Sequence, residues 1–303
     1  MSTLDTNTLG NDIQTFSNSL SLIRNYMAIV KPAIQQHLTE SDKEASELAR
    51  AVTCAAYKAG LTKDRPNFSD QELTAFEDRI KIKLDKNKRI IFAFKDKKDA
   101  DSFKNTMKAS SSAPLIPKHL YESSLISLIS NVEWIFSKIL HSHYQKYPNS
   151  VDDSSRPFTF KDLLSFSNIE DAREFLIQRA AEKVMRSSYP DWIEHLKSFM
   201  KLKMPYLEKY HDELTEIFLR RNLIVHNGGI INNIYLSKLP KSKSTPQKLG
   251  EKILVNEKYL NEAIDKCELV FLLLATEVST KHGGECDNLF KLINNELAYK
   301  HIK

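Results

Sequence analysis

The run Arg220-Arg221-Asn222-Leu223-Ile224-Val225-His226-Asn227-Gly228-Gly229 holds the residue types that could do chemistry. An imidazole exchanges a proton near neutral pH. A guanidinium holds planar anions through paired donors, and amides can orient either group. Taking about 100° per residue, Leu214, Ile217, Phe218, Ile224 and Val225 fall within roughly 60° on either side of Arg221. Arg221 therefore sits in the middle of an apolar stripe, where a charge must find a partner or stay wet. Leu219 and Leu223 lie opposite, so the helix is expected to be covered on both sides, one cover being a second subunit. His226 follows Arg221 by five residues, or about 140°. The two heads meet only if the helix ends or distorts between them, or if a twin helix crosses a two-fold axis, and the dimer is the favoured arrangement. Asn222 and His226 form an i, i+4 pair, so the amide can orient the imidazole. Asn227 is placed to cap the helix or hold a phosphate oxygen.

These residues need a helix, and the chain is rich in helical signals. Only 7 Gly and 10 Pro occur in 303 residues, which favours long uninterrupted helices. Leu125, Leu128, Ile129, Val132, Ile135, Phe136 and Ile139 form one stripe that predicts a core helix ending near Tyr147-Pro148. A shorter helix begins at Phe158. Ser167-Asn-Ile-Glu170 has the pattern of a capping box for a helix through Val184. Further helices are expected over Trp192 to Met200, Leu207 to His226, Asn256 to Thr280 and Cys286 to Tyr299, with Gly228-Gly229 stopping the one that ends at His226. Residues 117–303 are thus expected to form an all-α, up-and-down bundle.

The N-terminal third differs. Helical patterns around Ile13 to Leu38 and Glu44 to Ala59 precede two alternating runs, Arg79 to Leu84 and Arg89 to Phe94, separated by Asp85-Lys86-Asn87-Lys88. That pattern predicts a β-hairpin. The small polar residues and prolines of 108–116 predict a linker. The expectation is a mainly α protein: a smaller mixed α+β domain over 1–107, a linker over 108–116, and the helical domain over 117–303.

Arg221-Asn222, three apolar residues and His226-Asn227, late on a long helix behind Glu213 and Glu216, resemble the R-x(4-6)-H signature of HEPN domains, and more narrowly those of bacterial defence and toxin loci. The resemblance covers 117–303. It implies an antiparallel helical bundle and a metal-independent endoribonuclease in which two protomers place Arg221 and His226 around one scissile phosphate. His226 from each subunit would act as base and acid, and Arg221 would hold the phosphate. Arg220 gives the alternative spacing, so which arginine points inward stays open, the stripe favouring Arg221. Glu133, at the edge of the first long helix's stripe, is a candidate partner for the buried arginine or else a surface carboxylate, and Glu216 is a further supporting acid. The second reading is a non-catalytic HEPN-type module that binds RNA or a partner protein and uses the motif helix for assembly, and a purely structural helical adaptor with Arg221 neutralised by Glu133 inside its core is the third.

Net charge is +5, but Arg79 to Lys108 alone holds eleven Lys and Arg against four Asp, a net of +7. The hairpin can track an RNA backbone or be a solvated edge. Lys238, Lys241 and Lys243, with Lys248, form a second basic cluster after the motif and are the candidate RNA contacts. Cys54, Cys267 and Cys286 are scattered, and His141, His143 and His282 lack a full ligand set, so neither metal nor cofactor is expected. Phosphate-cradling glycine loops and nucleophile elbows are absent from the sequence. The most apolar run, Leu269 to Ala275, is bounded by Glu268 and Glu277, so no membrane span is expected, and the N-terminus lacks a secretory pattern, pointing to the cytoplasm. The expected partners are RNA, a second copy, and an inhibitory or activating protein.

Overall fold

The computed structural model describes residues 8–151, 159–240 and 248–283. The protein is mainly helical, with one small antiparallel sheet. It divides into two compact units: 27–120, and a second made of 1–26 with 121–303.

The larger unit contains the start of α1 (Thr8–Lys58), most of α4 (Ile116–Lys146), then α5 (Phe160–Leu163), α6 (Ile169–Met185), α7 (Tyr189–Ser198), α8 (Pro205–Asn227), α9 (Asn233–Lys238) and α10 (Glu257–Lys281). The α4 stripe read from the sequence is its core: Leu125, Leu128, Ile129, Val132, Ile135, Phe136 and Ile139 are all buried. Aromatic rings link the helices. Phe136 stacks on Trp192 of α7 at 4.3 Å and meets Phe271 of α10 edge-on, while Trp192 meets Phe218 of α8 edge-on. Such pairs add about 0.5–1.5 kcal/mol each beyond burial. Near the start of α1, Arg24 pairs with Asp265 and Glu268 of α10. No described helix is long and apolar enough to cross a membrane.

The smaller unit contains the rest of α1, α2 (Asp70–Arg79), β1 (Ile80–Leu84), β2 (Ile90–Phe94), α3 (Lys97–Ser112) and the first residues of α4. A capping box of Ser69 and Glu72 starts α2. The hairpin pairs Ile80 with Phe94 and Leu84 with Ile90. One face carries Ile80, Ile82, Phe92 and Phe94, which pack on Ala51, Ala55, Phe76 and Phe103. The other carries Lys81, Lys83, Ile91 and Ala93, as alternation requires.

Several expectations are corrected. The two helical patterns before Ala59 are one helix, α1, because residues 39–43 offer no Gly or Pro to stop it, although Pro32 lies inside. The segment 108–116 is helical rather than a linker. Ser110 and Ser112 donate to the carbonyls of Thr106 and Lys108 of their own helix, while Pro114 opens a 3-10 turn and Pro117 lies in the first turn of α4. The cap of α6 is Asn168, which accepts from the Asp171 N–H, one residue later than the sequence pattern suggested. The helix expected over Cys286 to Tyr299, and the residue Phe158, lie outside the described residues.

Phe136 is 1 % exposed and joins three helices through its ring contacts. Phe136→Ala is expected to lower unfolding free energy by about 3–5 kcal/mol. Urea denaturation checks this, and a loss below about 1 kcal/mol contradicts the shared core.

Candidate functional site

α8 runs unbroken from Pro205 to Asn227. Gly228 then takes a left-handed conformation (φ 58°) that a side chain rarely adopts, and its N–H and that of Gly229 bond back to the Leu223 carbonyl. The Gly-Gly stop read from the sequence is therefore where the helix ends. Because no distortion falls between Arg221 and His226, their side chains leave the helix about 140° apart.

The deepest charge on α8 is the carboxylate of Glu216, 6 % exposed. It takes four donor atoms. Arg220 Nε and Nη2 lie 2.7 Å from Oε1, Tyr235 Oη donates to Oε1 at 3.1 Å, and Tyr259 Oη donates to Oε2 at 2.7 Å. Arg220 Nη1 donates to the Leu254 carbonyl at 2.7 Å, and its guanidinium lies 3.8 Å above the Tyr259 ring. Burial first, then the facing Glu216 carboxylate, holds the Tyr259 phenol well above its usual value, so it stays a donor. Arg220 is a structural cation here, bound on its edge and its face.

Arg221 differs from its neighbour. Its Nη2 donates to Glu133 Oε2 of α4 at 2.9 Å, and its Nη1 to Asn222 Oδ1 at 2.9 Å. Its Nε is buried and has no hydrogen-bond partner. The Arg221 and Glu133 side chains keep 19 % and 32 % of their surface, against 11 % and 8 % for Arg220 and Glu216. Asn222 thus serves the arginine, and the expected Asn222–His226 orienting pair is replaced by that contact. His226 is exposed in the last turn of α8. Asn227 Nδ2 donates to the Ile230 carbonyl, so it closes the chain reversal after the helix.

The cover over Leu219 and Leu223, opposite Arg221, comes from the chain itself. Leu223 is buried with Ile231, Tyr235 and Ile253, and Leu219 packs beside them. A bridge between Ile230 and Lys252 holds that flap together. Val225, placed in the apolar stripe by its angle, is 47 % exposed. Around the same helix end Ile230, Ile234, Leu249 and Leu254 are also exposed.

Of the lysines expected to contact RNA, Lys238 is exposed at the end of α9, whereas Lys241 and Lys243 lie outside the described residues. Lys248 lies 4.0 Å from Glu251, so this stretch is less free of acids than its first residues suggest. The sequence reading missed Tyr235, Tyr259 and the Leu254 carbonyl as partners of the motif helix. The one available signal was the i, i+4 spacing of Glu216 and Arg220.

The histidines set apart from the motif form a second polar group. His143 Nδ1 and His282 Nε2 are 3.3 Å apart with the rings stacked, Ser142 Oγ lies 3.4 Å from His282 Nδ1, and His141 pairs with Glu174. Among the described residues no group of three or more His, Cys, Asp and Glu side chains is arranged to hold a metal ion. Cys286 lies outside them. Burial, followed by the facing positive charge of His282, Lys281 and His195, pushes His143 down to about 4. Burial, then Lys146 and Lys281, pushes His282 down to about 4.

Compared with protein-family models, curated proteins and solved structures, the chain matches none of them.

The two arginines are expected to respond differently to substitution. Glu216→Ala strands a buried guanidinium and should cost about 3–5 kcal/mol, whereas Arg221→Ala, whose partner is a third exposed, should cost about 1 kcal/mol or less. Melting temperatures of both variants check the contrast, and equal losses contradict it. The histidine pair makes stability pH-dependent. Its folded pKa lies below the unfolded one, so the contribution is complete above about pH 6.5 and falls as pH drops toward about 4, by at most about 1.4 kcal/mol per pH unit from His143. Chemical denaturation across that window should show a shallower slope for His143→Gln; an unchanged slope rules the pair out as the cause.

Proposed function

We propose that the protein is a HEPN-type, metal-independent RNA endonuclease whose active site forms where two copies bring their α8 ends together. The observation that carries this reading is the contrast within one helix end: Arg220 is fully engaged inside the fold, while Arg221 keeps a buried Nε–H without a partner and His226 stands exposed. Arg221 is thus the arginine better suited to an anion.

A single copy cannot bring Arg221 and His226 to one point, because the helix between them is regular. Two copies related by a two-fold axis can. The exposed Val225, Ile230, Ile234, Leu249 and Leu254 give such a pairing apolar surface to bury. In the cleavage step the 2′-oxygen attacks phosphorus and the bond to the 5′-oxygen breaks. One His226 takes the 2′-hydroxyl proton, and the other, protonated, gives its proton to the departing 5′-oxygen. The products are a 2′,3′-cyclic phosphate and a 5′-hydroxyl. Arg221 releases Glu133 or shares it, and its donors meet the charge gathering on the phosphoryl oxygens. An enzyme of this kind, acting on cellular RNA, suits a toxin or anti-phage role held in check or triggered by another protein.

The Glu133–Arg221 ion pair favours a second reading. A guanidinium already neutralised inside a helical unit fits a non-catalytic module that binds RNA or a partner protein.

Purified protein incubated with total RNA separates the two. Cleavage is expected to persist in EDTA, to leave cyclic-phosphate ends, and to fall by at least about 100-fold in Arg221→Ala and in His226→Ala, the scale of a lost proton-transfer group. Intact RNA with folded, dimeric wild-type protein would sink the enzyme reading in favour of the binding module.

A further inference from the structure

We propose that the outer face of the β1–β2 hairpin is a binding surface for a single strand of RNA, held through its phosphates. Four features of the smaller unit support this. First, the hairpin has one face to offer. Ile80, Ile82, Phe92 and Phe94 turn inward, and Phe103 lies 5.0 Å from both Phe92 and Phe94. Lys81 and Lys83 stand on the outer face.

Second, this face lacks the acids that usually balance a cationic sheet. Lys81 lies opposite Ala93 and Lys83 opposite Ile91, so neither has a cross-strand carboxylate. The nearby acids are engaged elsewhere. Asp85 Oδ1 accepts from the backbone N–H groups of Asn87 and Arg89 and so builds the turn. Asp96 caps α3 through the Asp99 N–H, and Asp99 lies 3.8 Å from Arg79. No ion pair with a carboxylate is formed, among the described residues, by Lys81, Lys83, Lys86, Lys88, Arg89 or Lys95.

Third, the spacing suits a phosphate chain. Same-face residues on a strand are about 7 Å apart, close to the repeat of phosphates along an extended nucleotide strand. Lys81 and Lys83 therefore match successive phosphates, and the turn bearing Lys86, Lys88 and Arg89 continues the line. Fourth, Ile91, opposite Lys83 on the outer face, is exposed at 48 % and gives a base an apolar surface to lie against, while the exposed Leu84 and Ile90 belong to the other face, next to the turn.

A cationic hairpin with apolar residues at its tip also suits an anionic lipid surface. RNA is preferred because it is the proposed substrate of the Arg221–His226 site, and to that extent the inference rests on that reading. The phosphate spacing and missing counter-charges stand without it.

The test is binding by the full chain to a short fluorescent 2′-O-methyl oligonucleotide, which binds like RNA but cannot be cleaved, measured by anisotropy over a range of salt. The triple variant Lys81→Gln, Lys83→Gln, Arg89→Gln is expected to weaken binding by about 10-fold or more and to reduce the log–log salt slope by about 2, or about 0.7 for each lost phosphate contact. Its circular dichroism melt should match wild type, since all three side chains are solvent-facing. Arg221→Ala with His226→Ala should lower the slope only by the one phosphate contact that Arg221 makes, about 0.7, and combining it with the triple variant should add the two losses. An unchanged slope in a folded triple variant overturns the proposal. So does loss of binding to phosphatidylserine vesicles with RNA binding intact, which would assign the face to a membrane. If wild type binds RNA through the hairpin yet never cleaves it, the nuclease reading fails and this one stands.

Discussion

The end of α8 depends on one buried carboxylate. Glu216 cannot be left ionised away from water without donors, and it collects them from three places in the chain: Arg220 one turn along, Tyr235 on α9 and Tyr259 on α10. Arg220 in turn reaches the Leu254 carbonyl on the approach to α10. Satisfying this single charge ties the segments that follow α8 back onto it. The flap of Ile231, Tyr235 and Ile253 then closes over Leu223. Adjacent residues on a helix point about 100° apart, so once Arg220 is committed inward to Glu216, Arg221 must face α4 and His226 must emerge in the last turn.

This separates two arginines that look interchangeable in sequence. One is held on its edge by a carboxylate and a carbonyl and on its face by an aromatic ring, and serves the fold. The other meets a carboxylate about a third exposed and a neighbouring amide and keeps an unused donor. A protein that binds an anion needs a cation whose release from its resting partner is cheap, and partial exposure of the Glu133–Arg221 pair provides that, because water can take over the carboxylate as it parts. The same regular helix that positions Arg221 keeps His226 apart from it, which is why the proposed chemistry belongs to two copies.

The two units manage charge by different means. Around α8 the charges are paired and sunk, and specificity of position comes from hydrogen bonds in a low-dielectric setting. In residues 27–120 the hairpin turns Ile80, Ile82, Phe92 and Phe94 inward and leaves its lysines without counter-charges. Repulsion among exposed cations costs little in water, and the field they create reaches outward rather than into the fold.

What the sequence determined by itself were the features that depend on neighbours along the chain. The α4 stripe, the hairpin and its register of inward and outward residues, the Gly-Gly stop after α8, and the roughly 140° between Arg221 and His226 all follow from helical or strand periodicity and from glycine's access to positive φ. Even there, local chemistry was misread at 108–116, where serine hydroxyls bonded to their own helix and prolines at first turns continued helices that were expected to break. The tertiary structure decided what lies across from each face. A helical wheel gives the direction of Arg220 and Arg221 but not that Tyr259, 39 residues further on, lies under one guanidinium and Glu133, 88 residues back, meets the other. It also gave Leu223 a covering layer from the chain's own flap, where the wheel left room for a second subunit. Such partners are set by how the chain returns on itself, and a buried carboxylate selects among those returns only after the helices have packed.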